Sequence, residues 1–214
     1  MSVLERVDHL VVAAPDLEEG VRWFEERVGV APGPGGRHPA WGTRNRILAL
    51  GPRCYVEVIG PDPERESGEL PTLFGIDRLE EPGLVAWAAA GTDLEGAVRR
   101  ARAAGLALGE PVSGSRRRPD GSLLAWSMTD PYSVDPEWPL PFLLDWSGSA
   151  HPAAGWTGDV TLVDLRAEHP EPQRLRDGLA VLDVPLPVTE GPRAALFATL
   201  RGPGGDVVLT RPGR

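Results

Sequence analysis

The chain has no lysine, a single cysteine and no long apolar run among its 214 residues. All 22 basic residues are therefore arginines, which indicates a GC-rich, bacterial genome, and 31 acidic residues bring the formal net charge to −9. Nucleic acids and anionic membranes both bind basic surfaces, so this charge balance argues against either as a partner. The one basic cluster, residues 116–118, precedes Pro119-Asp120-Gly121, a sequence typical of a solvated turn.

Two further absences bear on location. The single Cys54 cannot form an internal disulfide, and its place in an apolar segment predicts a buried thiol. The N-terminus lacks a secretory signal pattern, and no window is long and apolar enough to span a bilayer. Together these absences predict a cytoplasmic protein.

Three functional signatures are also missing. Residues 31–36 are rich in glycine and proline, but no lysine follows at the spacing of a phosphate-binding loop, so we expect an ordinary loop there. No Gly-x-Ser-x-Gly elbow supports a serine hydrolase. The repeated aspartates of a calcium loop are absent as well.

What the chain does contain is an internal repeat. An apolar strand, an Asp-Leu turn, an amphipathic helix and further strands follow one another in residues 1–65 and again in residues 83–150. A linker rich in Pro, Glu and Asp, residues 66–82, connects the two copies. Residues 151–214 follow the same order more weakly and predict a partial βαββ unit packed on the same domain.

The helix of each copy has clear start and stop signals. Asp16 and Asp93 precede the two helices as N-caps, and Gly29 and Gly105 follow them. Two βαβββ modules placed side by side bury the apolar face of each sheet. The predicted fold class is therefore α+β, with a curved, mixed and largely antiparallel sheet around a cleft and the helices outside.

The first 150 residues resemble the vicinal oxygen chelate superfamily and, more narrowly, glyoxalase-like domain proteins of unassigned activity. Members of the superfamily include isomerases, ring-cleaving dioxygenases, epoxide-opening transferases and drug-sequestering proteins, so the resemblance implies a fold more firmly than a reaction. The segments that carry it are Val7-Asp8-His9-Leu10, Pro15-Asp16-Leu17, residues 38–45, residues 55–63 and Pro141-Phe142-Leu143-Leu144-Asp145-Trp146 with His151-Pro152.

The resemblance also implies a metal site. In metal-binding members, a His on the first strand and a Glu on the last strand of module one are ligands, and His9 and Glu57 match them. Alignment of the two modules puts Ala86 in the place of His9 and Asp145 in the place of Glu57. The implied set is His9, Glu57 and Asp145 around Zn, Mn, Ni or Fe. A register slip of one residue would turn Asp145 away from the cleft.

Two other interpretations of His9 and Glu57 stay open. In the first, they form a metal-free acid–base pair in which Glu57 is the general base and moves a proton next to a carbonyl group. In the second, they only satisfy each other's hydrogen bonds across the cleft.

A second group of residues is predicted to bind the substrate. Residues 38–45 combine an imidazole, an indole, a hydroxyl, a guanidinium and an amide, although Arg44 could equally pair with surface acids. Tryptophans on the predicted cleft strands suit an apolar pocket, and His151 follows on a loop at its edge. The predicted set is His38, Trp41, Thr43, Arg44, Asn45, Trp126, Trp146 and His151.

These residues favour an enzyme of lyase or isomerase type that acts on a small carbonyl compound, with either a metal or an acid–base pair at His9 and Glu57. The alternative is a protein that sequesters a hydrophobic small molecule in a tryptophan-lined pocket without catalysis. A ring-cleaving dioxygenase ranks below both, because its iron site takes two histidines and only His9 matches. The partner is a small molecule in each case, and the chain is expected to be a monomer or a homodimer.

Overall fold

A computed structural model describes residues 2–117, 123–146, 148–156 and 158–211 of the chain. Its main sheet has eight strands and is built from two halves with the same order of elements. The turn expected at residues 119–121 lies outside the described residues. The first half consists of β1 (Val7–Ala13), α1 (Leu17–Val28), β2 (Gly33–His38), β3 (Thr43–Gly51) and β4 (Cys54–Pro61). The second consists of β5 (Gly83–Ala90), α2 (Leu94–Ala103), β6 (Pro111–Arg117), β7 (Leu123–Thr129) and β8 (Phe142–Asp145).

The strand order shows how the two halves join. It runs β2-β3-β4-β1-β5-β8-β7-β6, so each half has the same internal order and the first strands meet at the centre. β1 pairs antiparallel with β5, with His9 opposite Ala88 and Val11 opposite Ala86. These two pairs are equivalent under an approximate two-fold axis, which confirms the predicted duplication of βαβββ modules in one curved sheet.

Local signals in the sequence explain where the helices that belong to the two halves, α1 and α2, begin and where α1 ends. The Asp16 side chain accepts a hydrogen bond from the backbone N–H of Glu19, and Asp93 does the same for Gly96, as the N-cap prediction requires. Gly29 ends the first helix in the left-handed conformation, with a φ of 83°. Among the described residues, we find no helix with the length and apolar character needed to cross a bilayer.

The apolar residues of β1 divide between two layers. Leu10 and Val12 pack into a large core beneath the helices, whereas Val11 and Ala13 pack into a smaller cluster on the cleft face. This alternation follows from the two-residue period of a strand. The cleft-face cluster therefore forms the floor of the predicted cleft.

Two segments differ from the sequence prediction. The glycine-rich run expected as a loop is instead part of strand β2. The linker is not only a surface connection: a 3-10 helix, Leu73–Arg78, buries Leu73 and Ile76 in the cleft-face cluster. Burial of these apolar side chains favours packing of the linker on the open face of the sheet.

The C-terminal unit consists of β9 (Thr161–His169), α3 (Pro172–Val181), β10 (Val188–Glu190), β11 (Ala195–Gly202) and β12 (Gly205–Thr210). It forms a second, smaller sheet with the strand order β10-β9-β11-β12. Its first strand, β9, pairs in parallel with β10, the strand that follows its helix, whereas β1 pairs in parallel with β4, the last strand of its module. The short strand β10 is one strand more than the predicted βαββ pattern.

Candidate active site in the sheet cleft

The concave face of the main sheet holds a narrow cleft with a volume of about 50 Å³. This is room for a few water molecules or a small ligand. Seven of the predicted site residues line it: His9, His38, Trp41, Asn45, Glu57, Trp126 and Trp146. Tyr55, Leu73, Phe74, Met128, Phe142 and Leu144 complete most of the remaining wall. Two basic side chains and one carboxylate thus face a mainly apolar space.

His9 is fixed from both sides. Its ring stacks on Tyr55 with centroids 4.6 Å apart and meets the edge of Phe142 at 5.3 Å. Its Nδ1 lies 2.8 Å from Oδ1 of the neighbouring Asp8. Neighbouring residues of a regular strand point to opposite faces, but the register of β1 against β5 shifts between Val7 and His9, and Asp8 is the extra residue of this bulge.

Asp8 is a buried carboxylate surrounded by donors. Only 2 % of its surface is exposed. Its Oδ2 accepts a hydrogen bond of 2.9 Å from Trp146 Nε1. His151 Nε2 lies 3.3 Å from the same oxygen, at an angle outside hydrogen-bond geometry. Burial raises the pKa of Asp8, but the contacts with His151 and His9 outweigh it and hold the pKa below its ordinary value.

The ionised state of Asp8 determines which ring nitrogen of His9 carries the proton. A carboxylate can only accept hydrogen bonds, so Nδ1 of His9 is the nitrogen that carries the proton. The lone pair of the neutral ring is then on Nε2, for which the described residues provide no hydrogen-bond partner. Because His9 lines the cleft, Nε2 is available to a proton or another ligand there.

Glu57 is held by an amide clamp. Asn45 donates from Nδ2 to Oε2 of Glu57 at 2.8 Å, while its Oδ1 accepts from the backbone N–H of Gly36 at 2.7 Å. The second bond fixes the orientation of the amide, since only its oxygen can accept from Gly36. Gly35 makes room for this arrangement, because a Cβ there would lie 2.2 Å from Asn45 Oδ1.

Aromatic rings form most of the remaining walls. Trp126 and Trp146 lie 5.8 Å apart, and His38 lies 5.5 Å from Trp41. Thr43 is fully buried beside His38, with 3.1 Å between its Oγ1 and the Nδ1 of that ring. Thr43 therefore orients His38 from outside the cleft lining.

The structure places three other predicted substrate or metal residues away from the cleft. Arg44 points to the helix side and pairs with Glu18 at 3.2 Å, as one of the two interpretations of that residue predicted. Asp145 and His151 line an open groove at the start of β1 and β4, which we name the end groove. Asp145 therefore does not lie with His9 and Glu57.

The register of the strands explains the position of Asp145. Val11 pairs with Glu57 in the first half, and Ala88, the equivalent of Val11, pairs with Phe142 in the second. Phe142, not Asp145, is thus the counterpart of Glu57. Alignment of the two modules on their terminal glycines displaced this position by three residues.

A comparison with family models finds the glyoxalase-like domain over residues 7–182. The chain belongs to this family. It is therefore a member of the vicinal oxygen chelate superfamily, as the sequence motifs predicted. The matched region continues past the main sheet to the end of α3. No significant match to a curated protein is found.

Solved structures resemble this glyoxalase-like protein at low sequence identity. A hypothetical protein from Staphylococcus aureus has a TM-score of 0.62 and 14% identity, over 95% of this chain and 84% of that one. Methylmalonyl-CoA epimerase from Mycobacterium tuberculosis has a TM-score of 0.41 and 20% identity, over 67% and 88%. The Streptomyces coelicolor epimerase in complex with 2-nitronate-propionyl-CoA has a TM-score of 0.45 and 18% identity, over 69% and 98%. The first match supports the fold, and none of them assigns a reaction.

The donors in the cleft of this glyoxalase-like protein do not make a complete metal site. Within the described ranges, no group of three or more His, Cys, Asp or Glu side chains is positioned to hold an ion. His9 and Glu57 come from the first half, but their counterparts Ala86 and Phe142 cannot ligate. Since a catalytic metal site normally takes three protein ligands, these two donors alone do not fit one.

Several residues of the site were not predicted from the sequence. Asp8 stands in the motif Val7-Asp8-His9-Leu10, which indicates the family but no role for this residue. Phe74 and Leu73 come from the linker, where nothing in the sequence points to the cleft. Tyr55 and Phe142 lie in segments that carry the family resemblance, and that was the signal that could have placed them in the site.

Proposed function

We propose that this protein is an acid–base enzyme of isomerase or lyase type that acts on a small carbonyl compound with an acidic α-hydrogen. One observation supports the proposal above the others. Glu57 and His9 face the same apolar cleft, and each is oriented by its own polar partner, Asn45 for the carboxylate and Asp8 for the imidazole. A clamped base needs little rearrangement when the proton moves.

Glu57 is the base in this proposal. Its carboxylate takes the proton from the carbon next to the carbonyl group, and the electron pair of the broken C–H bond moves toward the carbonyl oxygen. An enolate results, and Glu57 holds the proton. Transfer of that proton, on the same side, to another atom of the enolate gives isomerisation, and its transfer to a departing group on the next carbon gives elimination.

His9 transfers the second proton of the reaction, the one that goes to the enolate oxygen. In the neutral ring Nε2 carries the lone pair, which takes up a proton from bulk solvent before the substrate binds. The imidazolium that forms is stabilised by the buried Asp8 carboxylate, 2.8 Å from Nδ1, and then donates to the developing enolate oxygen. The aromatic walls keep this exchange away from bulk water, where charges interact more weakly.

Deuterium exchange tests the proposal without knowledge of the natural substrate. A panel of 2-oxoaldehydes, 2-oxoacids and 2-oxoesters is incubated with the enzyme in D₂O, and loss of the α-proton signal is followed by NMR. We expect exchange of at least one compound and a loss of about 10²- to 10⁴-fold in Glu57→Gln. Asp145→Asn removes a carboxylate from the end groove and is the matched control, with little change expected. Equal rates in Glu57→Gln and the wild type would contradict the proposal.

A divalent metal on His9 and Glu57 is the alternative that the family resemblance implies. Two donors bind metal weakly, so we expect elemental analysis of protein purified without chelator to give well under one metal per chain. Near-stoichiometric Zn, Mn, Ni or Fe that is lost in Glu57→Ala would support the chelate site instead.

Sequestration of a hydrophobic small molecule is the second candidate function. The observation in its favour is the aromatic wall, where Trp41, Trp126 and Trp146 all line the cleft. This function needs no base. Binding of apolar ligands, followed by tryptophan fluorescence, would then be the same in Glu57→Gln and the wild type, and no compound of the panel would exchange.

A further inference from the structure

We infer that Asp8 is a positioning residue that locks His9 in the Nδ1–H tautomer and so presents the Nε2 lone pair to the substrate. The role of this lone pair in turnover rests on the proposed function, whereas the tautomer itself does not. Asp8 lies in the bulge of β1 and does not line the cleft, so it acts through the cleft residues that it holds, His9 and Trp146.

The hydrogen bonds at Asp8 all run in one direction, toward the carboxylate. Oδ1 faces Nδ1 of His9, and Oδ2 faces Nε1 of Trp146. An indole N–H only donates, so Trp146 requires an acceptor at Oδ2. The carboxylate supplies acceptors on both sides, and His9 Nδ1 must then be the donor on the other side.

The second step concerns His151. Its Nδ1 accepts a hydrogen bond from the backbone N–H of Ala153 at 3.1 Å, so in the neutral ring the proton is on Nε2. This N–H lies 3.3 Å from Asp8 Oδ2 but outside hydrogen-bond geometry, so its effect on the carboxylate is electrostatic. The polar groups next to Oδ2 are thus both N–H groups, and only that of Trp146 makes a hydrogen bond.

The third step concerns the variant Asp8→Asn, in which an amide takes the place of the carboxylate. Asparagine has one acceptor and one donor end, and the hydrogen bond from Trp146, with the N–H of His151 also close by, favours its oxygen on that side. The NH₂ group then faces His9, whose Nδ1 must become an acceptor. The proton of His9 moves to Nε2, and the lone pair no longer faces the cleft. Asp8→Asn therefore reverses the tautomer with almost no change in shape.

Ring ¹H–¹⁵N correlation spectra at neutral pH test this inference directly, because the two tautomers give different patterns of two-bond correlations. The chain has only four histidines. His169 is an internal reference: its Nδ1 accepts from the backbone N–H of Glu171 at 2.9 Å and its Nε2 lies 2.9 Å from the carbonyl oxygen of Glu137, so it is Nε2–H. We expect His9 alone to change tautomer in Asp8→Asn.

Trp146→Phe is the matched control. It removes the indole donor from Oδ2 but keeps a carboxylate beside His9, so His9 stays Nδ1–H. An Nε2–H tautomer of His9 in the wild type would overturn the inference, and this measurement does not depend on the folding of any variant. An unchanged tautomer in folded Asp8→Asn would overturn it too.

Deuterium exchange then separates this inference from the proposed function. With a compound that the wild type exchanges, Asp8→Asn is expected to lower kcat by about 10²-fold or more with little change in KM, since the substrate does not touch Asp8. A reversed tautomer with an unchanged kcat would overturn the catalytic role of the lone pair. If no compound exchanges, the proposed function fails, and the tautomer measurement still decides the role of Asp8.

Discussion

The two halves of the main sheet have the same order of elements, yet they give the cleft different walls. The first half contributes His9, Asn45 and Glu57, all with polar partners. At the matching positions the second half has Ala86 in place of His9 and Phe142 in place of Glu57. The duplicated backbone thus shapes the cleft, whereas the titratable side chains that line it all come from the first half. The second half supplies mainly apolar surface.

The largest expected effect concerns the apolar wall, the part of the cleft surface that the second half of the sheet supplies. Phe142 is 2 % exposed and contacts both His9 and Phe74, so Phe142→Ala should lower the free energy of unfolding by about 3–5 kcal/mol. Urea unfolding measures this change. Tyr132→Ala is the aromatic control, because its side chain is about half exposed, and it should cost far less. Equal losses in the two variants would mean that the second half is not a structural wall.

A smaller loss of stability is expected at the polar wall, which consists of His9, Asn45 and Glu57 of the first half. In Gly35→Ala the new Cβ would meet the side chain and carbonyl of Asn45 within 2.3 Å, so we expect a loss of about 1–3 kcal/mol and displacement of the clamp on Glu57. Gly33→Ala on the same strand meets only a carbonyl oxygen at 3.7 Å and is the control. A Gly35→Ala protein as stable as Gly33→Ala would show that the clamp is loose.

The pH dependence of stability reports on Asp8. Its pKa is lowered in the folded state, so its contribution is fully present above the unfolded carboxyl pKa of about 4 and is lost as the pH falls through the folded value. We expect the free energy of unfolding to fall less steeply below pH 4 in Asp8→Asn than in the wild type. Asp16→Asn, at an exposed helix cap, is the control. Parallel curves for wild type and Asp8→Asn would contradict the buried ionised carboxylate.

The last expected effect concerns the reactivity of the Cys54 thiol. Burial, with a further contribution from the charge of Asp8, raises the pKa of Cys54 to about 12. Almost no thiolate is present at pH 8, and we expect a disulfide reagent to react with the native protein far more slowly than with the urea-unfolded chain. Rapid reaction of the native thiol would contradict the burial of Cys54 at the edge of the end groove.

The fold could be predicted from the sequence because its signals are local and repeated. The caps Asp16 and Asp93 and the period of 77 residues between them defined two modules, and the register of β1 against β5 agrees with that spacing. The glycine-rich strand β2 was missed, since its composition is typical of a loop. Only contact with Asn45, distant in sequence, explains why glycine suits a strand there.

Part of the site could be predicted because it also depends on a local signal, the alternation of side chains along a regular strand. His9, Asn45 and Glu57 follow the alternation of regular strands, and the structure brings them to one cleft. Asp145 was misplaced because β8 is short and its register depends on β5, which the sequence does not reveal. Asp8 was overlooked because a bulge, not the strand period, turns it toward His9.

The most direct test of the account is α-proton exchange in D₂O by the wild type, Glu57→Gln and Met128→Leu. The first variant changes the polar wall and the second only the apolar wall of the same cleft. The account predicts exchange in the wild type and in Met128→Leu, with a loss of at least about 10²-fold in Glu57→Gln. Exchange that survives in Glu57→Gln would contradict the central claim that the chemistry belongs to the first half of the sheet.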